Sequence, residues 1–401
     1  HTTPRPSSAP TASRRDLFKT GAAVAAASAL ASVDIPRVHA GEDNTIHLAL
    51  IGCGGRGRGA IVNALSVPNS GPVKLVAMAD LLKEKLPVSE KSLKNSFKDK
   101  VDVPVERQFA VFDAYKKAID CLKPGDVALL TGYAYCRGTH LDYAVRKGIH
   151  VFMEKSFAAD PATCHRMLRM GEMAEQKNLK IAAGLMCRHS VNRQELIQRL
   201  RAGELGDIQL IRAYRMGYVG PLRKKPEEED ELLWQFRNFF RFYWVSGGLF
   251  AEMDIHQIDE ICWLKGELPV AAHGVGGRMA NSMDRSQNLD SFSVEWTFAD
   301  GTKATDVVRY LGNCHNEFAT FAHGTKCAAQ FSGNVHAGTT RIYKDQRIAE
   351  DNIVWDAPEE EYNPWDAEWN VLLDSIRNDK PQNEVKRAAY SNFADLMGRA
   401  A

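Results

Sequence analysis

Short apolar runs and amphipathic stretches alternate through the first half of this chain. Residues 45–51, 73–79, 126–131 and 150–153 are runs dominated by Val, Ile, Leu, Ala and Met, the pattern of strands buried on both faces. Between them, residues 57–65, 81–97 and 140–147 carry apolar positions at helical spacing. A further helix is predicted over 161–177, with Pro161 in its first turn, then a strand at 180–185 and a helix at 192–202. Strand–helix alternation of this kind predicts a doubly wound parallel sheet. Past residue 206 the pattern changes. Residues 208–216, 291–298, 305–311 and 327–331 are alternating or β-branched runs, separated by turns such as Ala299-Asp300-Gly301. They predict a C-terminal α+β domain with a large, mostly antiparallel open sheet, followed by a late helix near 366–377.

Composition adds little except at the N-terminus. A chain of 401 residues with 44% hydrophobic and 25% charged residues has material for two globular domains. Lys and Arg total 51 against 50 Asp and Glu, and this balance argues against a nucleic-acid partner. Residues 1–40 stand apart. Ser13-Arg14-Arg15-Asp16-Leu17-Phe18-Lys19 has a twin-arginine pattern, a mild apolar run follows over 21–33, and Val38-His39-Ala40 offers small residues for cleavage before Gly41. The expectation is an exported, periplasmic protein organised as a signal peptide (1–40), a nucleotide-binding domain (41–160) and a substrate-binding and oligomerisation domain (161–401). The apolar run falls short of the roughly 20 residues needed to span a bilayer, so no stable membrane span is expected after processing. The eight cysteines form no CxxC pair and sit in apolar stretches. They read as buried thiols rather than a disulfide framework. No Cys/His cluster has metal-ligand spacing, so no metal site is expected.

The sharpest motif is Ile51-Gly52-Cys53-Gly54-Gly55-Arg56-Gly57, a G-x-G-x-x-G turn between a predicted strand and a predicted helix. The first glycine permits the tight turn, the second lets a pyrophosphate approach the backbone, and the third lets the helix pack on the strand. The helix N-terminus behind Gly54, Gly55 and Arg56 supplies N–H groups and a positive dipole end for the phosphates. This is the Rossmann pattern, and its context supports it, because the next strand ends in Asp80. A carboxylate there accepts ribose hydroxyls and repels a 2′-phosphate, favouring NAD over NADP. Arg56 and Arg58 partly offset that repulsion, and Asp80 alternatively serves as a plain helix N-cap.

Two stretches carry candidate chemistry. His150-Val151-Phe152-Met153-Glu154-Lys155-Ser156 places a charged pair at the carboxyl end of an apolar strand, where open α/β sheets bind ligands. Thr131 stands at the corresponding end of the strand before it. In Gly247-Gly248-Leu249-Phe250-Ala251-Glu252-Met253-Asp254-Ile255-His256-Gln257-Ile258-Asp259, Glu252 and His256 lie one helical turn apart. Oxidising an alcohol removes a hydride and a proton, and the proton needs a base. An imidazole suits that task, a carboxylate such as Glu252 can fix its tautomer, and a lysine can stabilise a developing alkoxide. Lys155 paired with Glu154, and His256 packed in a core, are the plain alternatives.

Taken with Gly203-Glu204-Leu205-Gly206, Glu368-Trp369 and Gly398-Arg399, these motifs resemble the Gfo/Idh/MocA family, the glucose–fructose oxidoreductase and inositol dehydrogenase group, over nearly all of the chain after residue 40. The resemblance implies catalytic Lys155, His256 and Glu252. It implies cofactor contacts from Gly52, Gly54, Gly55, Arg56, Gly57, Asp80, Thr131, His140, Glu154 and Lys155, with His140 and Arg137 in a loop after the third strand. Arg188 and Asp254 then face substrate, and Tyr214 and Trp244 can stack on a sugar ring. A sugar, polyol or glycoside substrate and a homodimer or homotetramer follow by the same resemblance. The chain departs from the family at Ser156, where proline is usual, at Glu252 for aspartate, and at Asp254 for glycine.

Export sharpens the expectation, because free NAD is scarce outside the cytoplasm. A folded, loaded enzyme would carry a trapped cofactor that must be restored in each cycle. Coupled oxidation and reduction of two sugars does this. So does redox-neutral glycoside cleavage through a transient keto-sugar. A non-catalytic sugar-binding relative that keeps NAD as structure is the remaining alternative.

Overall fold

The structure, a computed structural model, describes residues 44–401 apart from 69, 223, 281, 334–338 and 362. The twin-arginine pattern and the expected cleavage point lie outside the described residues.

The chain opens β1 (Ile46–Ile51), α1 (Gly55–Ser66), β2 (Val73–Asp80), α2 (Lys85–Ser96), β3 (Gln108–Ala110), α3 (Ala114–Ile119), β4 (Val127–Leu130), α4 (Ala134–Lys147), β5 (His150–Met153), α5 (Pro161–Gln176) and β6 (Ile181–Ala183). These strands form one parallel sheet in the order β3-β2-β1-β4-β5-β6. The order reverses beside β1, the crevice where doubly wound sheets take ligands. Every residue of β4 and β5 is buried, as their unbroken apolar runs require.

Next come α6 (Val191–Arg201), β7 (Ile208–Met216), α7 (Glu231–Arg237), α8 (Tyr243–Ser246) and α9 (Ile255–Lys265), followed by β8 (Ala271–Gly277), β9 (Ser291–Thr297), β10 (Lys303–Arg309), β11 (Phe318–Gly324), β12 (Ala328–Ser332), β13 (Arg341–Tyr343) and β14 (Ile353–Asp356). The second sheet has the order β14-β13-β12-β11-β7-β10-β9-β8, and its neighbours run antiparallel except for the β7–β10 pair. Helices α10 (Pro364–Arg377) and α11 (Val385–Ala400) end the chain.

The parallel sheet does not stop at residue 160, where the sequence reading closes its nucleotide-binding domain. Strand β6 extends it, and α10 returns to cover it, stacking Trp369 on Phe152 with ring centroids 4.4 Å apart. Helix α4 starts six residues before the stretch that periodicity marks, so Arg137 and His140 are helical rather than in a loop. Helix α11 goes unrecognised by pattern because its buried face includes Ser391, Asn392 and Asp395. Among the described residues, no helix is long and apolar enough to cross a membrane.

Candidate active site

The glycine turn follows the logic of its spacing. Gly52 has φ +104°, and a Cβ there would strike the backbone of Thr131 and Gly132. Gly57 packs so closely that a Cβ would run into the Gly52 carbonyl and sit 2.7 Å from Thr131 Oγ1. Thr131 holds the turn from β4, donating its hydroxyl to the Gly52 carbonyl at 2.6 Å. By contrast, a Cβ on Gly54 or Gly55 would meet nothing within 4 Å. The backbone there fronts open space, at a helix N-terminus with no side-chain cap and no acid in its first turn. The orphan N–H groups of that turn and its positive end fit a phosphate anion.

Asp80 fastens this turn instead of capping a helix. One carboxylate oxygen accepts from the Cys53 N–H at 2.6 Å and the other from the Leu82 N–H at 2.8 Å. Burial holds its carboxyl above the ordinary range, opposed by Lys85 and by these two N–H donors. Arg56 turns away from the phosphate position. Its Nε donates to Glu154 Oε1 at 2.6 Å, which ties the glycine turn to the end of β5. Burial works to lower the Arg56 pKa, and Glu154 outweighs it, leaving the guanidinium more basic than usual. Glu154 is therefore not the partner of the Lys155 ammonium.

That partner is Glu252. Lys155 Nζ donates to the Glu252 carbonyl at 2.6 Å and to its carboxylate at 3.2 Å. The reason lies in the helix that carries Glu252. Phe250–Asp254 is a π-helical turn running into α9. A π turn shifts the backbone bonding pattern and exposes carbonyls that an α-helix would use internally. The Glu252 carbonyl goes to Lys155, and the Ala251 carbonyl accepts from Ser156 Oγ at 3.1 Å. Ser156, where the resemblance leads one to expect proline, thus makes a hydroxyl contact that proline lacks, and the Lys155–Ser156 peptide is cis. His256 begins α9 just beyond this turn and is largely buried.

A cleft of about 1030 Å³, measured to its open mouth, gathers these groups. Its lining includes Gly52, Gly54, Gly55, Arg56, Gly57, Asp80, Thr131, His140, Glu154, Lys155 and Glu252. It also includes residues that sequence reasoning missed: Lys85, Phe112, Tyr115, Tyr133, Tyr135, Cys136 and Phe239. Tyr133 packs on Phe236 and Phe239 with centroids 4.9 and 5.6 Å apart. This aromatic wall comes from two distant segments, and its only sequence signal was the density of Phe, Tyr and Trp over 234–244. The wall is clasped from outside by Arg237, which pairs with Glu84 at 2.8 Å and with Glu229. His140 stacks on Tyr115 at 4.1 Å. Burial, then the nearby Arg137, lowers its pKa to about 3, so the ring is neutral at ordinary pH.

Five expected residues lie outside this lining. Arg188 is committed to a two-pronged pair with Asp259, 2.8 Å on each side, and its guanidinium sits 4.6 Å from the Trp263 ring centroid. Asp254 is fully buried and accepts from the Tyr310 hydroxyl at 2.6 Å. Tyr214 lies on β7, where Arg212 donates to its hydroxyl at 3.1 Å. Trp244 packs on Tyr135 with centroids 5.4 Å apart, behind the wall. His256 is the fifth. Arg188, Asp254, Tyr214 and Trp244 each have a partner in the fold that a linear pattern does not reveal. Arg137 is fully buried and donates to the carbonyls of Leu130 and Gly132, bracing the β4 exit.

Residues 194–330 match the family model described as GFO/IDH/MocA C-terminal domain. No curated protein matches the chain. Solved structures share the fold across its length. The aldose-aldose oxidoreductase from Caulobacter crescentus, complexed with glycerol, is 18% identical, with 89% of this chain and 97% of that one covered and a TM-score of 0.66. The apo scyllo-inositol dehydrogenase from Lactobacillus casei is 21% identical, with 89% and 95% covered and a TM-score of 0.63. A levoglucosan dehydrogenase in complex with NADH and levoglucosan is 15% identical, with 88% and 96% covered and a TM-score of 0.66.

Proposed function

We propose that this protein is a nicotinamide-dependent oxidoreductase that acts on a sugar or polyol hydroxyl, with NAD preferred over NADP. One observation carries the reading: an uncapped glycine-turn helix and a carboxylate-anchored lysine line the same cleft. The structural neighbours, an aldose-aldose oxidoreductase and two dehydrogenases of scyllo-inositol and levoglucosan, support it. NAD, when bound, supplies the hydride acceptor. The chain's own groups do the rest. Orphan N–H groups behind Gly54 and Gly55 hold the pyrophosphate, and Asp80 disfavours a second phosphate on the ribose. An ammonium has three N–H donors and Glu252 occupies two of them, so the third is left for a substrate oxygen. There it stabilises the developing alkoxide charge. Glu252 and His256 are the groups assigned to carry the proton away.

The clasped aromatic wall favours a cofactor that leaves slowly. This agrees with export through the twin-arginine route to the periplasm and with internal recycling, including redox-neutral glycoside cleavage as the second reading. A homodimer or homotetramer completes the proposal. A panel of sugars, cyclitols and aryl glycosides, read by nicotinamide absorbance and aglycone release, tests it. Lys155→Ala is expected to lower turnover by about 10²–10³-fold, the usual scale for losing a donor that stabilises developing negative charge. Unchanged turnover in that variant overturns the assignment. Denaturing the purified protein and assaying released NAD(H) decides between a trapped and an exchangeable cofactor.

A further inference from the structure

Beyond β5 the chain runs through Ser156, Phe157 and Ala158 without a strand or helix to take up its backbone groups, yet all three residues are buried. Buried amides in such a segment need partners from elsewhere. One side chain on α11, 234 residues beyond Ala158, provides three of them. Asn392 Oδ1 accepts from the Phe157 N–H at 3.0 Å and the Ala158 N–H at 2.9 Å, and its Nδ2 donates to the Ala158 carbonyl at 2.9 Å. Asn392 is itself fully buried. Two turns along the same helix, Arg399 donates to the Ala159 carbonyl at 3.0 Å and to the Gly247 carbonyl at 3.2 Å. Helix α11 therefore grips both the segment that follows Lys155 and the segment that leads into the π turn.

We propose that Asn392 is the positioning residue for Lys155: it fixes the β5 exit so that the ammonium meets the exposed carbonyl and carboxylate of Glu252. The proposal rests on the catalytic reading of Lys155, but the geometry it describes does not. Both ends of the Asn392 amide bind the same short segment, so a small movement there is passed directly to Lys155, two or three residues upstream. An asparagine that merely filled the core would affect stability without singling out one lysine.

The test is amine labelling of the full-length chain with a limiting amount of sulfosuccinimidyl acetate near neutral pH, quantified by peptide mass spectrometry. Asn392→Leu removes all three contacts. Asn392→Asp keeps acceptors for the two N–H groups and loses the donor to Ala158. Lys180, 2% exposed and paired with Asp379, reports global loosening. The Lys155 labelling rate is expected to rise about tenfold in Asn392→Leu, the scale of one buried hydrogen bond, and less in Asn392→Asp, with Lys180 unchanged. Equal rises at Lys155 and Lys180, or no rise at Lys155, overturn the proposal. If the leucine variant does not fold, the aspartate variant decides by the same criterion. NAD titration of the unmutated protein by tryptophan fluorescence is run alongside. Absence of NAD binding there, together with no NAD(H) released on denaturing the purified protein, removes the oxidoreductase reading and leaves the labelling result to judge Asn392 alone.

Discussion

The glycine turn and the π turn face the same cleft with opposite backbone polarity. At Gly54–Gly57 a helix begins without a cap and offers N–H groups to the cavity. At Phe250–Asp254 a helix is locally underwound into a wider turn and offers carbonyls. The first suits an anion. The second has already recruited a cation, the Lys155 ammonium. The first is built into residue identity, because glycine alone tolerates the contacts at Gly52 and Gly57. The second depends on packing, because no residue type marks a π turn. Helix α11 stands behind the second only, through Asn392 and Arg399.

The largest effect is expected at the glycine turn itself. Gly57→Ala drives a Cβ into the Gly52 carbonyl and close to Thr131 Oγ1. Overpacking against backbone costs about 3 kcal/mol or more, visible as a lower melting temperature with NAD binding weakened more than about 100-fold. Gly55→Ala, whose Cβ meets nothing within 4 Å, should leave the melting temperature unchanged and weaken NAD by about tenfold through crowding of the pyrophosphate. Equal behaviour of the two variants breaks the distinction between a glycine needed for packing and one needed for the ligand.

A smaller effect probes the π turn through charge. Asp395 is fully buried, and its pKa is pushed up to about 7, chiefly by burial, with Glu252 adding to the rise and Arg399 opposing it. Because the folded value lies above the ordinary 3.8, the native state holds a proton that the unfolded chain has lost, and stability falls as pH rises between those values. Asp395→Asn fixes the neutral form. Its melting temperature relative to the unmutated protein should therefore rise between about pH 5 and pH 8, by the equivalent of about 2 kcal/mol. A pH-independent difference shows that Asp395 does not titrate in this window.

The smallest effect on stability belongs to the clasp outside the aromatic wall. Arg237 and Glu84 are 39% and 57% exposed, and exposed pairs contribute about 0–1 kcal/mol. Arg237→Ala should barely move the melting temperature while raising the NAD dissociation rate about three-fold, since the wall it braces covers the cleft. An unchanged dissociation rate in stopped-flow displacement detaches the wall from cofactor retention.

Reading the chain by pattern works where one residue's role is fixed by its immediate neighbours. Strands β1, β2, β4 and β5 follow from apolar runs buried on both faces. The glycine turn follows from the steric needs of its own backbone, and the placement of Glu154 and Lys155 follows from the end of β5. It fails where a polar side chain is satisfied at long range. Arg188 meets Asp259 and Asp254 meets Tyr310, so both leave the cleft to which analogy assigns them. Helix α11 hides its register because buried Asn392 and Asp395 interrupt its apolar face.

The sequence by itself determined the parallel sheet, the open glycine turn and the place of Lys155 just past the end of β5. Tertiary structure decided the partner of Lys155, the aromatic wall and the grip of α11, because hydrogen bonds between residues up to 240 apart and the extra residue of a π turn leave no periodic trace along a chain.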